Sequence, residues 1–461
     1  MTRAPLALHA MLFAMLFGAG VCSGCRPRSA PTGSGTMAAV STAAIPPSSV
    51  AALGSEEPAA RPLRRCFQDR PTWADAPVSD LLDRAGSLFD RDDFGGALAC
   101  AEEAARSAPR SVEAHHDRAA ALLHLGRLDE ARDALTLAMA LDPEDPETLE
   151  ASADLYINQL PPSADRSAIG LEQARRGYRR LAGHDRTRAA RLALLEGQAL
   201  IDLGHAEQAV RRLDATLALA PTSAAARYEM GVAEFELCRF ADARRTFQKV
   251  LATAADHAHA LYHLGLIAER EGDASTAERY FAEASRIDPS AFPPAPNLSA
   301  ADFAARVRWV VAGLPDDVRA DLSQSRLETA DLPSVEDLVA EKPPLSPTIL
   351  GLFRGLPLTW SGEAERRAQS GRSAKATKSP SSRRASAPDA TPATDPEATA
   401  DDDAGAACAA PQRTIVLYRR NLLRSIRDIA EFDEAIRRTL LHEVGHLRGE
   451  DDGSLRDRGL E

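Results

Sequence analysis

Between about residue 77 and residue 290 small residues return every 34 positions, and no other feature of this chain restricts its fold so tightly. Alanines stand at Ala85, Ala119 and Ala153, then glycines at Gly197, Gly231 and Gly265. A second series runs through Ala97, Ala131, Ala174, Ala209, Ala243 and Ala277. Helix-ending prolines follow at Pro109, Pro143, Pro221 and Pro289, and turn glycines at Gly126, Gly204 and Gly272. A unit of this length is a pair of helices and a turn. One such hairpin cannot bury its own apolar face, so the copies must stack, with small residues where two helices approach closely. The spacing between Ala153 and Gly197 is 44, ten more than one period. The surplus falls around Leu160 to Ala168, where Pro161 and Pro162 predict an enlarged loop inside the third repeat that leaves the stack intact.

These residues resemble tetratricopeptide repeats, over about six hairpins. The resemblance implies a right-handed α-solenoid whose concave groove takes an extended peptide or a partner helix; the plainer alternative is a rigid spacer without a ligand. His115, His116, His257, His259 and His263 read as surface or packing residues and are assigned no metal.

The rest of the chain separates by composition. Residues 26–75 are rich in Ala, Pro, Ser, Thr and Gly and read as a disordered linker. Residues 361–412 have the same character, basic at first and acidic later, and predict a disordered insertion; a lid or cleavable inhibitory loop is the sharper alternative. A net charge of −12 argues against broad nucleic-acid binding, so no nucleic-acid partner is expected. Residues 1–25 have one cation, Arg3, then an apolar run from Ala4 to Val21, the layout of a bacterial export signal. Ser23 and Gly24 before Cys25 resemble a lipoprotein cleavage site, which would make Cys25 the lipidated residue and anchor the protein to a membrane, facing the periplasm or cell surface. A soluble exported form and an uncleaved anchor are the other outcomes. Of the remaining cysteines, Cys66 and Cys408 lie in linkers and could pair, while Cys100 and Cys238 fall in helical patterns as small buried residues; no disulfide framework is expected.

The chemistry concentrates near the C-terminus, in His442-Glu443-Val444-Gly445-His446 followed by Gly449 and Asp452. Two imidazoles four residues apart lie one helical turn above each other, the separation needed to grip one metal ion. The flanking Phe432, Ile436, Leu440, Val444 and Leu447 recur at helical spacing, so the histidines sit on an amphipathic helix. Gly449 can end that helix in a left-handed conformation and let the chain return Asp452 toward the ion as third ligand. A zinc ion held in this way keeps a fourth position for water, which it acidifies, and Glu443 can act on that water as general base. Thr414 to Tyr418 is β-branched and apolar and reads as a strand, and a peptide substrate could pair its backbone with Ile415 to Tyr418. Tyr418 and Arg448 are the candidates for oxyanion stabilisers.

This C-terminal region resembles the small bacterial zincin-like metallopeptidases. The residues that carry the resemblance are Ile349 to Thr359, Ile415 to Asn421, Thr439 to His446, and Gly449, Asp451, Asp452, Leu455 and Gly459. Family members often carry a second His directly after the second ligand, where this chain has Leu447, and here a long insertion splits the matching segment. The resemblance implies a minimal zincin domain over 299–360 and 411–461, with His442, His446 and Asp452 on the metal and Glu443 as catalytic base.

The expected fold class is therefore mainly α: a tetratricopeptide-repeat α-solenoid over 77–290 followed by a small α+β minimal zincin domain. The expected function is exported zinc-dependent hydrolysis of peptide bonds, with the repeats binding a protein or peptide partner. The alternative is an interaction scaffold whose zincin-like domain binds zinc with little turnover. A weaker third reading is a hydrolase acting on cell-wall peptide amides.

Overall fold

The structure is a computed structural model that describes Cys66, residues 76–359 and residues 413–460. The expected export segment with Cys25, the 361–412 insertion and Cys408 lie outside the described residues, as does the 26–75 linker apart from Cys66. Among the described residues no helix is long and apolar enough to cross a membrane. Contacts divide the chain into two units, one running to Pro161 and including Glu172–His184, the other made of Pro162–Leu171 and everything from Asp185 onward.

The first unit opens with the hairpins α1 (Val78–Phe89) with α2 (Phe94–Ser107) and α3 (Val112–His124) with α4 (Leu128–Leu141). The third repeat begins with α5 (Pro146–Asp154), whose N-cap Asp145 accepts from the Thr148 amide at 2.8 Å and which has proline in its first turn, where a missing N–H costs nothing. The ten surplus residues do not form the expected loop. Instead α5 runs on through a π turn, Leu155–Gln159, and the next helix, α6 (Ala164–Leu181), is 18 residues long where α2 and α4 have 14.

The cysteines also depart from expectation. Cys66 is bonded to Cys100 of α2, with 5.2 Å between their Cα atoms. Cys100 does face a core, as expected, but the cluster of Leu81, Leu82 and Ala85 that surrounds it also includes Cys66. Pairing therefore follows shared burial rather than shared linker position.

The second unit continues with α7 (Arg186–Asp202), α8 (Ala206–Leu219), α9 (Ala224–Glu236), α10 (Phe240–Thr253), α11 (Ala258–Arg270) and α12 (Ala274–Ile287). The small-residue series has a direct cause here. A Cβ on Gly231 would lie 2.6 Å from the ring of Phe247, and one on Gly265 2.6 Å from that of Phe281, so each glycine seats an aromatic ring of its hairpin partner. The turn positions Gly204 and Gly272 have φ of 74° and 81°, and Cys238, one period from each, takes the same left-handed turn with φ of 57°. It is a half-buried turn residue, not the buried helical one expected.

The C-terminal part is assembled from two stretches of chain. The first gives α13 (Ala300–Ala312), α14 (Asp316–Leu322), β1 (Arg326–Ala330), α15 (Val335–Val339) and β2 (Gly351–Arg354). The second gives β3 (Thr414–Tyr418), α16 (Arg419–Ser425), a 3-10 turn at Ile429–Glu431, α17 (Phe432–Arg448) and α18 (Asp452–Asp457). The sheet order is β1-β3-β2, with β3 parallel to β1 and antiparallel to β2. All five residues of β3 are buried, as a central strand covered on both faces requires. Ile415, Leu417 and Phe353 face one way, into a core with Phe432, Ile436, Leu440 and Val444 of α17. Leu352, Val416 and Tyr418 face the other, with Leu338, Leu345 and Ile349.

Candidate metal centre

The apolar stripe of α17 pins the helix to the sheet, and this fixes where its polar residues point. His442, Glu443 and His446 are buried although they carry polar groups. The helix ends as the glycine predicts: Gly449 has φ of 91°, and the Glu450 amide closes the turn on Gly445 O at 2.9 Å. Asp451 then caps α18, accepting from the Ser454 amide at 2.8 Å. That cap puts Asp452 in the first turn of α18, and Leu455 of the same helix is buried against Gly445.

The fold thus brings His442, His446 and Asp452 together. Their Nε2 atoms are 3.0 Å apart, and Asp452 Oδ1 lies 3.6 Å from that of His442 and 3.3 Å from that of His446. Among the described residues this is the one group of His, Cys, Asp and Glu side chains able to hold a metal ion. Ligand distances of about 2.0–2.1 Å with tetrahedral angles place ligand atoms roughly 3.3 Å apart, the spacing seen here.

The tautomers strengthen the fit. His442 Nδ1 lies 2.8 Å from the Leu460 carbonyl oxygen and His446 Nδ1 3.1 Å from that of Glu450. A carbonyl only accepts, so both Nδ1 atoms hold protons and, in neutral rings, both Nε2 atoms present lone pairs. Two lone pairs and a carboxylate oxygen meeting at these distances repel one another unless a cation lies among them. Burial draws the His446 imidazolium down, but the carboxylates of Asp452 and Glu443 outweigh it and hold the group above its ordinary value.

Glu443 lies beside this trio. Gly351 of β2 occupies a position where neighbouring residues of the sheet send side chains toward α17. It sends none, and the carboxylate of Glu443 takes the space, with Oε1 2.8 Å from where a Cβ would be. Burial pushes the Glu443 carboxyl up to about 7 against the pull of His446 and of a hydrogen bond from the Phe353 amide, while Asp452 adds to the rise. A carboxyl with this value near neutrality can both take up and release a proton.

Two sequence expectations fail for topological reasons. The strand Thr414–Tyr418 cannot pair with a peptide, because it is the middle strand and both its edges are taken. The edge beside Glu443 belongs to β2. The Tyr418 amide donates to Leu350 O at 2.9 Å, so in the antiparallel alternation Gly351 and Phe353 point their backbone groups away from β3. Arg448 is not in the site either: its guanidinium is committed to Asp321 at 2.7 Å and Asp317 at 2.9 Å, both on α14. Tyr418 is buried, and its hydroxyl is pushed up to about 12 by burial and then by Asp337, with Arg354 beside it and Glu443 near enough to add to the shift.

The sequence reading did not find the Phe353 amide, the use of Gly351 as space for Glu443, or the two carbonyls that set the histidine tautomers. Only Gly351 left a mark in the sequence, as a glycine inside an apolar run.

The profile of the zincin-like metallopeptidase family matches residues 389–460, and that of the tetratricopeptide repeat matches residues 82–146, 194–243 and 228–292. The chain carries tetratricopeptide repeats and a C-terminal zincin-like metallopeptidase domain. The zincin profile covers the stretch with β3, α17 and α18, while residues 299–359 share the same core without being matched. The structural neighbours are tetratricopeptide repeat proteins. PilF of Pseudomonas aeruginosa is 16% identical with a TM-score of 0.38, covering 46% of this chain and 92% of its own. PilW, described as a widely conserved type IV pilus biogenesis factor, is 22% identical with a TM-score of 0.40, covering 47% of this chain and 96% of its own. YrrB, described as having an unusual peptide-binding site, is 18% identical with a TM-score of 0.32, covering 41% and 93%. No curated protein matches the chain.

Proposed function

We propose that the protein is an exported zinc metallopeptidase that hydrolyses peptide bonds, with tetratricopeptide repeats that engage protein partners. The observation that carries this reading is the convergence of the His442 and His446 Nε2 lone pairs with Asp452 Oδ1, beside a buried glutamate and the β2 edge, which pairs with no further strand among the described residues. His442, His446 and Asp452 are the residues that would hold the ion. Zinc there would supply Lewis acidity, polarising a carbonyl and making water a stronger acid.

The remaining work falls to the chain itself. The N–H and C=O of Gly351 and the C=O of Phe353 point away from β3 and suit an extended peptide added to the sheet at β2, while the Phe353 N–H serves Glu443. Glu443 takes the proton of the attacking water on its carboxylate and returns it to the leaving amine nitrogen. The Phe353 amide holds that carboxylate in place in the meantime. Burial of Glu443 between α17 and β2 keeps bulk water from competing for the proton.

Export rests on the charged and apolar layout of residues 1–25, and the Cys66–Cys100 bond suits an oxidising compartment. Lipidation at Cys25 would tether the mature chain to a membrane.

The test is zinc content together with peptide cleavage by wild type and Glu443→Gln. Stoichiometric zinc in both, with cleavage only by the wild type, is the expected result. Zinc retained in both with equally negligible cleavage across a broad peptide library would leave the scaffold reading in its place.

A further inference from the structure

The stretch between β1 and β2 is gripped by the last two hairpins of the repeats. Arg270, at the end of α11, sends Nη1 to Pro333 O and Nη2 to Pro347 O, each at 3.0 Å. Its guanidinium also lies 5.1 Å over the ring of Phe240 in α10. One period earlier, at the equivalent position of α9, Glu236 hydrogen-bonds Ser346. Leu345 packs between Leu352 of β2 and the Cys238–Phe240 turn.

A second attachment runs through α16. Glu269, its side chain 6% exposed, accepts from Arg420 at 2.6 Å and also from Arg424. Between those two arginines in sequence, buried Asn421 donates to Pro347 O at 3.1 Å and Ile349 O at 2.8 Å. The Pro347 carbonyl is therefore held from one side by the repeats and from the other by a helix that the repeats also hold. Two residues beyond Ile349, β2 begins, and with it the edge that houses Glu443.

We propose that α9–α12 are a positioning clamp for the peptidase site, and that the ligand of this part of the repeats is the chain's own segment 333–347. Arg270 and Glu269 are positioning residues that act on β2 through Pro347, Ile349 and Asn421. Recruitment of outside partners then belongs to the hairpins that precede α9. The effect on turnover rests on the peptidase reading above; the clamp itself does not.

The experiment uses the full chain with Arg270→Ala, Arg270→Lys and the milder Glu269→Gln, following backbone hydrogen exchange alongside zinc content and peptide kinetics. Arg270→Ala should speed exchange over residues 345–354 by about tenfold or more, leave residues 439–449 and zinc content unchanged, and lower kcat/KM about tenfold, mainly through KM. Arg270→Lys, which can serve one carbonyl at a time, should fall between. If Arg270→Ala unfolds, the other two variants decide by the same readout. Unchanged exchange over 345–354 in folded variants would overturn the proposal. Faster exchange there, with no cleavage by any form including wild type, would support the clamp and sink the peptidase reading alone.

Discussion

Glu443 keeps its carboxylate in a space that exists because residue 351 is glycine: a Cβ there would sit 2.8 Å from Oε1 and equally close to Thr439 Cγ2. Both contacts are too short for real atoms, and the flexible carboxylate is the group that would yield. Gly351→Ala should therefore leave zinc bound and reduce kcat by about a hundredfold, the usual cost of a reacting group displaced by about 1 Å. Single-turnover cleavage and metal analysis on the same sample would check it; wild-type turnover in this variant would show that the carboxylate position is unimportant.

Gly445, between the two histidines, has a different neighbour. A Cβ at this position would meet Leu455 Cδ2 at 2.2 Å, and Leu455 belongs to the helix that carries Asp452. Gly445→Ala should push α18 outward and weaken zinc affinity by about 10–100-fold, the range seen when groups supporting metal ligands are disturbed. Competition with a chromogenic chelator measures this directly, and unaltered affinity would mean that Asp452 is not held by this contact.

The Glu236 carboxyl is pushed up to about 7 from an ordinary 4.5, chiefly by burial, with Ser346 and Arg270 pulling the other way. Between those two values the unfolded chain has released a proton that the folded chain retains, so stability falls as pH rises through this window. Glu236→Gln should flatten that fall and raise stability at pH 8 by about 3 kcal/mol relative to wild type. Denaturant midpoints at pH 4 and pH 8 give the comparison, and a parallel pair of curves would contradict the assignment.

Opening the Cys66–Cys100 bond frees a loop with a sequence separation of 34 residues at the first repeat. Cys100→Ser should cost the first unit about 2–4 kcal/mol and shift its thermal transition down, with cleavage by the C-terminal domain untouched. Calorimetry of wild type with and without reductant would serve as the control; coincident transitions would refute the bond's role.

Periodic features were legible and pairings were not. The 34-residue series could be read because at Gly197, Gly231 and Gly265 the small residue answers to one local fact, the branched side chain of Leu213 or the ring of Phe247 or Phe281 pressing on that spot. His442, Glu443, His446, Gly449 and Asp452 were legible for a similar reason, since one helix and its C-cap supply nearly all of the geometry. Sheet order was not, because β3 shows the same β-branched pattern whether it lies at an edge or in the middle. Arg448 looked available only until α14, some 130 residues earlier in the chain, supplied Asp317 and Asp321. Cys66 found Cys100 through a shared core, which no linker composition reveals.

The strand order has a consequence for how the protein is made. β1 and β2 are translated first, yet neither pairs with the other; the strand that joins them, and then the helix with both histidines, follow only after the stretch 361–412. Synthesis must pass residue 452 before His442, His446 and Asp452 can meet, so the candidate metal centre is among the last parts of the chain to close.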